Sequence, residues 1–361
     1  MATERPQGRA VPGPPPEGVK KTWGGPALSG EPPLPRFAAV GAGRMGRGIA
    51  VAFAYAGHRI ALVDLRWRDD PGWQRLQAEA RAEILASLQA LAELGAIDAG
   101  QVQPIAQRVA LVPAAQAAAA LARAELVFEG VAETLQAKRE AFDVIGRHCQ
   151  TDAVLTSTTS SILVTQLADL VHRPERFLNV HWLNPAYLIP VVELSCHPGT
   201  DEQVLEHTKE ALMAIGKLPV VCGPTPGYIV PRLQALIMNE AARMVAEGAA
   251  SAEEIDKATR YGLGLRFAAL GVVEFIDFGG SDILHHASRE MAASIDAARY
   301  ATPAIVTQMV AQGRLGLKSG SGFYDYAGRD IGAYRRDVLA RTLGMLRHAG
   351  LWRPPADESL S

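Results

Sequence analysis

The sequence predicts an α/β fold, in which a doubly wound, mostly parallel sheet is followed by an all-α domain. Short apolar runs alternate with helical periodicities between residues 37 and 157, which is the pattern of a parallel sheet covered by helices on both faces. A glycine-rich segment directly follows the first run, and beyond residue 224 only helical periodicities remain. The length of 361 residues suits two such domains.

The predicted elements alternate along the first half of the chain. Apolar runs of strand length lie at 37–40, 59–64, 109–112, 126–129 and 153–157. Helical periodicity lies between them, at 46–57, 74–94, 114–123 and about 135–148. After residue 176 the pattern predicts two further strands, at 177–182 and 189–195, and then the helices 228–247 and 253–261.

Composition and element order divide the chain into four parts. Residues 1–35 hold nine of the 23 prolines and six glycines, which predicts a disordered or loosely packed extension, with a docking tail as the alternative. Residues 36–222 are expected to form the sheet domain, 223–330 a helical domain and 331–361 a C-terminal helical tail.

Charge and cysteine usage exclude several classes of protein. The formal net charge is −2, whereas binders of nucleic acid or of a membrane surface need a basic excess to meet phosphates, so neither partner is expected. No apolar run has the length of a membrane span, and the start lacks the pattern of a signal peptide. Cys149, Cys196 and Cys222 have neither metal-ligand nor disulfide spacing, so we expect no metal and a reducing cytoplasm.

A glycine-rich loop joins the first predicted strand to the first helix, and it reads Gly41-Ala42-Gly43-Arg44-Met45-Gly46. In such a loop the glycines permit a tight turn, close approach of the backbone to a pyrophosphate, and close packing of helix on strand. Asp64 ends the second strand, where its carboxylate would accept both ribose hydroxyls and repel a 2′-phosphate. NAD is therefore the predicted cofactor, a preference that Arg66 and Arg68 weaken slightly. A structural turn beside a surface aspartate is the alternative.

Histidine and glutamate on the strands 177–182 and 189–195 are candidates for proton transfer. His181 would take the hydroxyl proton of an alcohol as hydride leaves, because histidine as a residue type ordinarily titrates near neutral pH. Glu193 would fix the tautomer and stabilise the imidazolium. Asn184 would orient the histidine or the nicotinamide, and Ser160 would donate to the substrate oxygen. By spacing alone, a histidine and a glutamate twelve residues apart are commonly unrelated.

Seven segments, taken in order, resemble the L-3-hydroxyacyl-CoA dehydrogenase family; they are 41–50, 129–133, 157–162, 181–185, 191–193, 226–230 and 318–326. The resemblance implies a Rossmann domain, a helical dimerisation domain, and a dyad of His181 and Glu193 in the cleft between them. It also implies NAD contacts beyond the glycine loop, at Asp64, Glu133, Lys138, Ser160, Asn184 and Lys318.

Three departures from the family bear on the substrate. Thioester-oxidising members usually carry a lysine for the CoA phosphates after a serine of the first long helix; Ser87 matches the serine, but Leu94 stands in place of the lysine. Pro231 stands where the family usually has an asparagine whose amide reaches the substrate, so substrate contacts there must differ. Because proline has no N–H, it fits there only if a helix is just starting. The segment that contains Arg266 resembles that of the carnitine and L-gulonate dehydrogenases, which oxidise free 3-hydroxy acids. The loop at Tyr187 resembles the same enzymes.

These observations predict an NAD-dependent dehydrogenase that converts a 3-hydroxyl to a ketone, and a homodimer through the helical domain. The favoured substrate is a small free 3-hydroxy acid, whose carboxylate Arg266 would bind. The alternative role of Arg266 is a salt bridge between domains or subunits. A 3-hydroxyacyl-CoA, such as 3-hydroxybutyryl-CoA in fatty-acid or butanoate metabolism, is the alternative substrate. A non-catalytic NAD-binding or structural relative is the more remote alternative.

Overall fold

The computed structural model describes residues 35–354, which form two compact units, 35–237 and 238–354. The α/β class and the all-α second part are both confirmed. The predicted extension over residues 1–35 lies outside the described residues, apart from its last residue.

One eight-stranded sheet organises the first unit. Its strands are β1 (Phe37–Val40), β2 (Ile60–Val63), β3 (Val109–Val112), β4 (Leu126–Glu129), β5 (Val154–Ser157), β6 (Phe177–Trp182), β7 (Val191–Cys196) and β8 (Leu218–Cys222). Their order across the sheet is β3-β2-β1-β4-β5-β6-β7-β8. Every neighbouring pair is parallel except β6 and β7, which are antiparallel. The order reverses beside β1, and open α/β sheets bind ligands at such a switch point.

Helices cover both faces of this sheet, because both faces of its central strands are apolar. The helices are α1 (Arg44–Tyr55), α2 (Asp70–Glu93), α3 (Val102–Ala106), α4 (Ala117–Leu121), α5 (Leu135–His148), α6 (Val164–Ala168) and α7 (Glu202–Ala214). α1, α2, α3 and α7 pack with alternate strand residues on one face, and α4, α5 and α6 pack on the other. α2 begins where Asp69 accepts a hydrogen bond from the Gly72 N–H at 2.9 Å.

The structure differs from the sequence-based elements at β8 and around residues 114–123. β8 was not predicted; it contains Pro219 and lies at the sheet edge, where a missing N–H is tolerated. The predicted helix 114–123 is a 3₁₀ turn over Ala114–Gln116 followed by the short α4.

The second unit is helical. Its first helix begins at Val230, before the boundary between the units at residue 238. The helices are α8 (Val230–Ala246), α9 (Ala252–Lys257), α10 (Leu265–Ala269), α11 (Val272–Gly279), α12 (Ser281–Ser294), α13 (Ala304–Ala311) and α14 (Ile331–His348), with a π-helical stretch, Ala258–Gly264, between α9 and α10. α14 lies in the part predicted as a helical tail, and its Tyr334 hydroxyl donates to Glu274 at 2.6 Å.

A buried aspartate fixes the loop that follows α13. The Asp277 carboxylate is fully buried and accepts the N–H groups of Phe323 (3.0 Å) and Tyr324 (2.8 Å). A Cβ at Gly322 would lie 2.1 Å from an oxygen of Asp277, so only glycine fits there. The same loop carries Lys318, whose ammonium pairs with Asp282.

Within residues 35–354, no helix is both long enough and apolar enough to cross a membrane. In the same stretch of chain, no three His, Cys, Asp or Glu side chains are grouped as ligands for a metal ion.

Candidate active site

The glycine loop between β1 and α1 has the geometry that a dinucleotide pyrophosphate requires. Gly41 has φ of +106°, and a Cβ there would lie 2.6 Å from the Gly130 carbonyl oxygen. A Cβ at Gly46 would lie 2.0 Å from the Gly41 carbonyl oxygen, so α1 packs directly on the turn. A Cβ at Gly43 would meet no other atom within 4 Å, and the first turn of α1 has no acidic residue. This opening at a helix N-terminus fits a phosphate group.

A cavity of about 650 Å³ opens beside this loop and contains the acidic residue expected for ribose binding. Asp64 follows β2 and lines the cavity with Arg66 and Arg68. Its carboxylate accepts the Arg66 N–H at 3.4 Å and is paired with the Arg68 guanidinium. The cavity therefore holds a carboxylate, fixed by Arg66 and Arg68, where an NAD ribose would present its two hydroxyls, and the residues fit the cofactor.

Lys138, for which the resemblance implied an NAD contact, is buried beside two carboxylates. Its side chain is fully buried, and its ammonium lies 3.0 Å from a Glu129 oxygen and 3.4 Å from a Glu133 oxygen. It also donates to the Ser157 hydroxyl at 3.3 Å. Neither Lys138 nor Glu133 is among the residues that line the large cavity, and the ammonium of Lys138 faces the Glu133 carboxylate.

Glu133 organises the polar loop after β5. Its Oε1 accepts hydrogen bonds from the Thr159 hydroxyl and from the N–H groups of Ser160 (2.9 Å) and Ser161 (3.1 Å). Partial burial by itself would raise the pKa of Glu133, but the hydrogen bonds from Thr159 and Ser161 and the charge of Lys138 lower that pKa overall. An ionised Glu133 thus holds the backbone of Ser160, whose side chain is exposed.

The antiparallel pairing of β6 and β7 brings the two proton-transfer candidates together. His181 and Glu193 are directly opposite each other, and both are buried. The Nδ1–H of His181 donates to Glu193 Oε2 at 2.9 Å. The other carboxylate oxygen accepts the N–H groups of Ile229 (2.9 Å) and Val230 (2.8 Å), where α8 begins. This arrangement leaves Nε2 of the imidazole as the free basic nitrogen.

The loop between β6 and β7 lines a second, smaller cavity. This cavity has a volume of about 200 Å³. Its wall contains Asn184 and Tyr187, together with Arg44, Glu83 and Ser87. Arg47 also lines it and is paired with Glu83. The structure thus brings Asn184 and Tyr187 together with the start of α1 and the middle of α2.

The two remaining predicted site residues lie in the helical unit. Lys318 pairs with Asp282 and lowers the pKa of that carboxyl through a hydrogen bond. Arg266 is exposed on α10, with its guanidinium 5.7 Å from the centre of the Phe275 ring. Pro231 lies in the first turn of α8, where a missing N–H is tolerated.

Sequence reasoning assigned no role to two buried residues, Tyr228 and Lys217. Tyr228 stacks on the His181 ring at 4.5 Å between centroids. Lys217 donates to the Ile189 carbonyl at 2.8 Å, and its ammonium lies 5.8 Å from the centre of the Trp182 ring. Tyr228 lies in the segment 226–230, which resembles the family, but that segment assigned no role to its side chain, and Lys217 lies in no such segment.

A dinucleotide loop joined to a histidine–carboxylate dyad defines an NAD-dependent dehydrogenase that acts on a hydroxyl group. The family described as "3-hydroxyacyl-CoA dehydrogenase, NAD binding domain" matches residues 36–225, and "3-hydroxyacyl-CoA dehydrogenase, C-terminal domain" matches residues 227–326. The chain belongs to the 3-hydroxyacyl-CoA dehydrogenase family, and it is an NAD-dependent oxidoreductase of the CH–OH type.

Known proteins show how far the similarity extends. The 3-hydroxyadipyl-CoA dehydrogenase of Escherichia coli is 34% identical over 80% of this chain, which spans 58% of that relative's length. A crystal structure of the 3-hydroxyacyl-CoA dehydrogenase of Archaeoglobus fulgidus is similar over 88% of this chain and all of its own, with 27% identity and a TM-score of 0.68. The structure of 5-formyl-3-hydroxy-2-methylpyridine 4-carboxylic acid 5-dehydrogenase, an NAD⁺-dependent dismutase, is similar over 87% of this chain and 98% of its own, with 25% identity and a TM-score of 0.60.

Lys217 generates a prediction about stability and pH. Burial lowers the pKa of Lys217 from 10.5 to about 8. Between these pH values the unfolded chain binds the proton that the folded chain has lost, so this residue makes stability rise as pH increases from about 8 to 10.5. We expect Lys217→Met to reduce that rise in Tm, measured by thermal unfolding at several pH values across the window.

Lys209 of α7 provides the control, because its side chain is only partly buried and pairs with Glu206. Lys209→Met should keep the wild-type dependence of Tm on pH. If Lys217→Met and Lys209→Met have the same pH dependence, the buried ammonium is not the cause.

Proposed function

We propose that this enzyme uses NAD to oxidise the 3-hydroxyl of a small free 3-hydroxy acid, with His181 as general base. The single observation that carries the choice of a free acid is Leu94, which is neutral and 82% exposed where thioester-oxidising members of the family carry a lysine. The family and the dyad support the reaction class, and the surroundings of Leu94 support the substrate.

The dyad performs the proton transfer in this proposal. Nε2 of His181 accepts the hydroxyl proton, and the buried Glu193 carboxylate stabilises the imidazolium through Nδ1–H. Glu193 cannot turn away, because two backbone N–H groups hold its other oxygen. Bound NAD supplies the hydride acceptor. Ser160 donates to the substrate oxygen, and the amide of Asn184 orients the nicotinamide or the imidazole.

The end of α2 lacks a cation for the phosphates of CoA. The last turn of this helix has no basic residue, and Leu94 caps it. The Ser87 hydroxyl donates to the Glu83 carbonyl at 3.0 Å, inside its own helix. The Glu83 carboxylate lines the small cavity between α1 and α2 and pairs there with Arg47.

Arg266 offers the cation that a free acid needs. It is exposed in the helical unit, and an arginine fork binds a carboxylate with two parallel hydrogen bonds. The similar dismutase acts, by its name, on a pyridine carboxylic acid, a free acid rather than a thioester.

A 3-hydroxyacyl-CoA dehydrogenase, such as one that acts on 3-hydroxybutyryl-CoA, is the second candidate function. It is favoured by the names of the E. coli and A. fulgidus relatives, both of which are CoA thioester dehydrogenases. Their similarity covers the reacting residues, which either substrate would use in the same way.

We also propose a cytoplasmic homodimer. The three cysteines are free thiols, as is usual in a reducing compartment. α8 exposes a run of large apolar side chains, in which Leu236 is 65% and Met238 is 60% exposed. Apolar area of this extent on one helix is typical of a surface covered by a second copy.

Replacement of the base tests the reaction. We expect His181→Gln to lower kcat by about 10²- to 10⁴-fold, the usual contribution of general-base assistance, and to leave NAD binding intact. The measurements are NADH absorbance during turnover and NADH fluorescence during binding. His286→Gln, at an exposed histidine, is the control. Near-normal turnover of the His181 variant would remove the base assignment, and silence of the wild type with tight NAD binding would favour a non-catalytic relative.

A substrate panel distinguishes the two candidate functions. We expect higher kcat/KM with at least one free 3-hydroxy acid than with 3-hydroxybutyryl-CoA. Arg266→Met should raise KM for the acid by about tenfold or more, since a charged hydrogen-bonded pair is lost. Leu94→Lys should lower KM for the thioester and leave the acid unaffected, because it restores a cation for CoA.

Arg260→Met is the matched control for Arg266, since both arginines lie against an aromatic ring of the same unit. It should change neither KM. Strong thioester turnover that Arg266→Met leaves unchanged would contradict the free-acid proposal.

Disruption of the apolar run tests the dimer. We expect Leu236→Glu to give a monomer by light scattering after size-exclusion chromatography, because a buried carboxylate without a partner strongly opposes association. Leu339→Glu is the control, at an equally exposed leucine of α14. A dimer that survives Leu236→Glu would place the interface elsewhere.

A further inference from the structure

The buried ring of Tyr228 covers one face of the catalytic imidazole. The two ring centroids are 4.5 Å apart and the planes are inclined by only 12°, so the rings are stacked. Tyr228 is 7% exposed, and the proton transfer described above makes no use of its side chain. A stacked ring restricts the tilt of an imidazole that one hydrogen bond to Glu193 leaves free to rock.

The hydroxyl of Tyr228 reaches a second part of the site. It donates to the Thr159 carbonyl at 2.8 Å and accepts from the Asn179 side-chain amide at 3.1 Å. Burial raises the pKa of Tyr228 well above its usual value, so the phenol stays a neutral donor. Thr159 precedes Ser160, and its own hydroxyl bonds to Glu133.

The backbone at Tyr228 completes the arrangement. Its φ of +47° lies in the left-handed region, which is unusual for a residue with a side chain. The next two N–H groups, of Ile229 and Val230, hold the Glu193 carboxylate. One short segment at the start of α8 therefore touches the histidine, its carboxylate partner and the serine loop.

We propose that Tyr228 is a positioning residue for dehydrogenation: its ring fixes the plane of the His181 imidazole, and its hydroxyl fixes the loop that carries Ser160. The π face of the phenol also favours the imidazolium that forms when the base takes a proton. This inference rests on the proposed role of His181 as base. It adds to that role a separate element that aligns Nε2 and Ser160 with the same substrate hydroxyl.

Two variants separate the ring from the hydroxyl. Tyr228→Phe keeps the stack and removes the bond to Thr159, so we expect substrate KM to rise about fivefold, the equivalent of one neutral hydrogen bond, with kcat retained. Tyr228→Leu removes the stack as well, and we expect kcat to fall about 10- to 100-fold because the base is misaligned. Tyr55→Phe, at an exposed tyrosine of α1, is the control and should change neither constant.

NMR of the full chain with labelled histidine supplies a readout that does not depend on turnover. The stacked ring shields the C–H protons of His181, whose signals are assigned with His181→Gln. Tyr228→Phe should leave these signals in place, whereas Tyr228→Leu should move them downfield. Tm is measured for every variant, so that a loss of stability is seen separately from a loss of alignment.

The outcomes are distinct. Changes in Tm alone, with kcat and KM within about twofold of the wild type, would overturn the proposal. Unshifted His181 signals in Tyr228→Leu would do the same. If Tyr228→Leu does not fold, Tyr228→Phe decides through its KM. If the wild type oxidises no acid and no thioester, the proposed function fails separately, and the NMR comparison still decides whether Tyr228 positions the imidazole.

Discussion

The buried carboxylate of Glu193 is the interaction on which the rest of the site depends. An ionised group that is completely removed from water is unfavourable unless its oxygens are satisfied. Glu193 meets that condition with three hydrogen bonds, from the imidazole of His181 and from two N–H groups at the start of α8. The pairing register of β6 with β7 supplies the first bond, and the entry of the chain into α8 supplies the other two. A register slip of one residue would turn Glu193 to the opposite face of the sheet, and the imidazole and the two N–H groups would all lose their acceptor.

The cofactor side of the site follows the same principle. Glu129 and Lys138 form a buried ion pair, and its cation also faces Glu133. Glu133 then holds the N–H groups of the loop after β5. The loop is thereby fixed both by a charge network and by the Tyr228 hydroxyl, which bonds to the Thr159 carbonyl. The polar groups around the reacting centre are arranged before a substrate arrives, which lowers the reorganisation required in the transition state.

Local patterns predicted the parts of this protein that depend on local geometry. The glycine loop and Asp64 could be predicted because their spacing belongs to one strand–turn–helix–strand unit, in which α1 packs directly on the turn at Gly41 and Gly46. The pairing of His181 with Glu193 depends on which strands are neighbours and in which direction they run, so spacing alone could not establish it and the family resemblance was needed to favour it. Tyr228 lies in a segment that resembles the family, but nothing in the sequence gave its ring or the ammonium of Lys217 a role, since a buried ring and a buried ammonium are recognised by their surroundings. β8 was not predicted, because a proline such as Pro219 argues against a strand from sequence alone, although an edge strand tolerates it.

Reaction and substrate are encoded in different elements, and this separation explains why similarity determines one more firmly than the other. The dyad, the glycine loop and the serine loop all lie on the sheet, and any 3-hydroxyl substrate would use them. In the proposed function, discrimination between an acid and a thioester would rest instead on two peripheral positions, the neutral Leu94 at the end of α2 and the cationic Arg266 on α10. A CoA thioester brings several phosphates that need cations, whereas a free acid brings one carboxylate that needs a single arginine. On this proposal, a few substitutions at those positions would change the preferred substrate without disturbing the buried hydrogen bonds between His181, Glu193 and the start of α8.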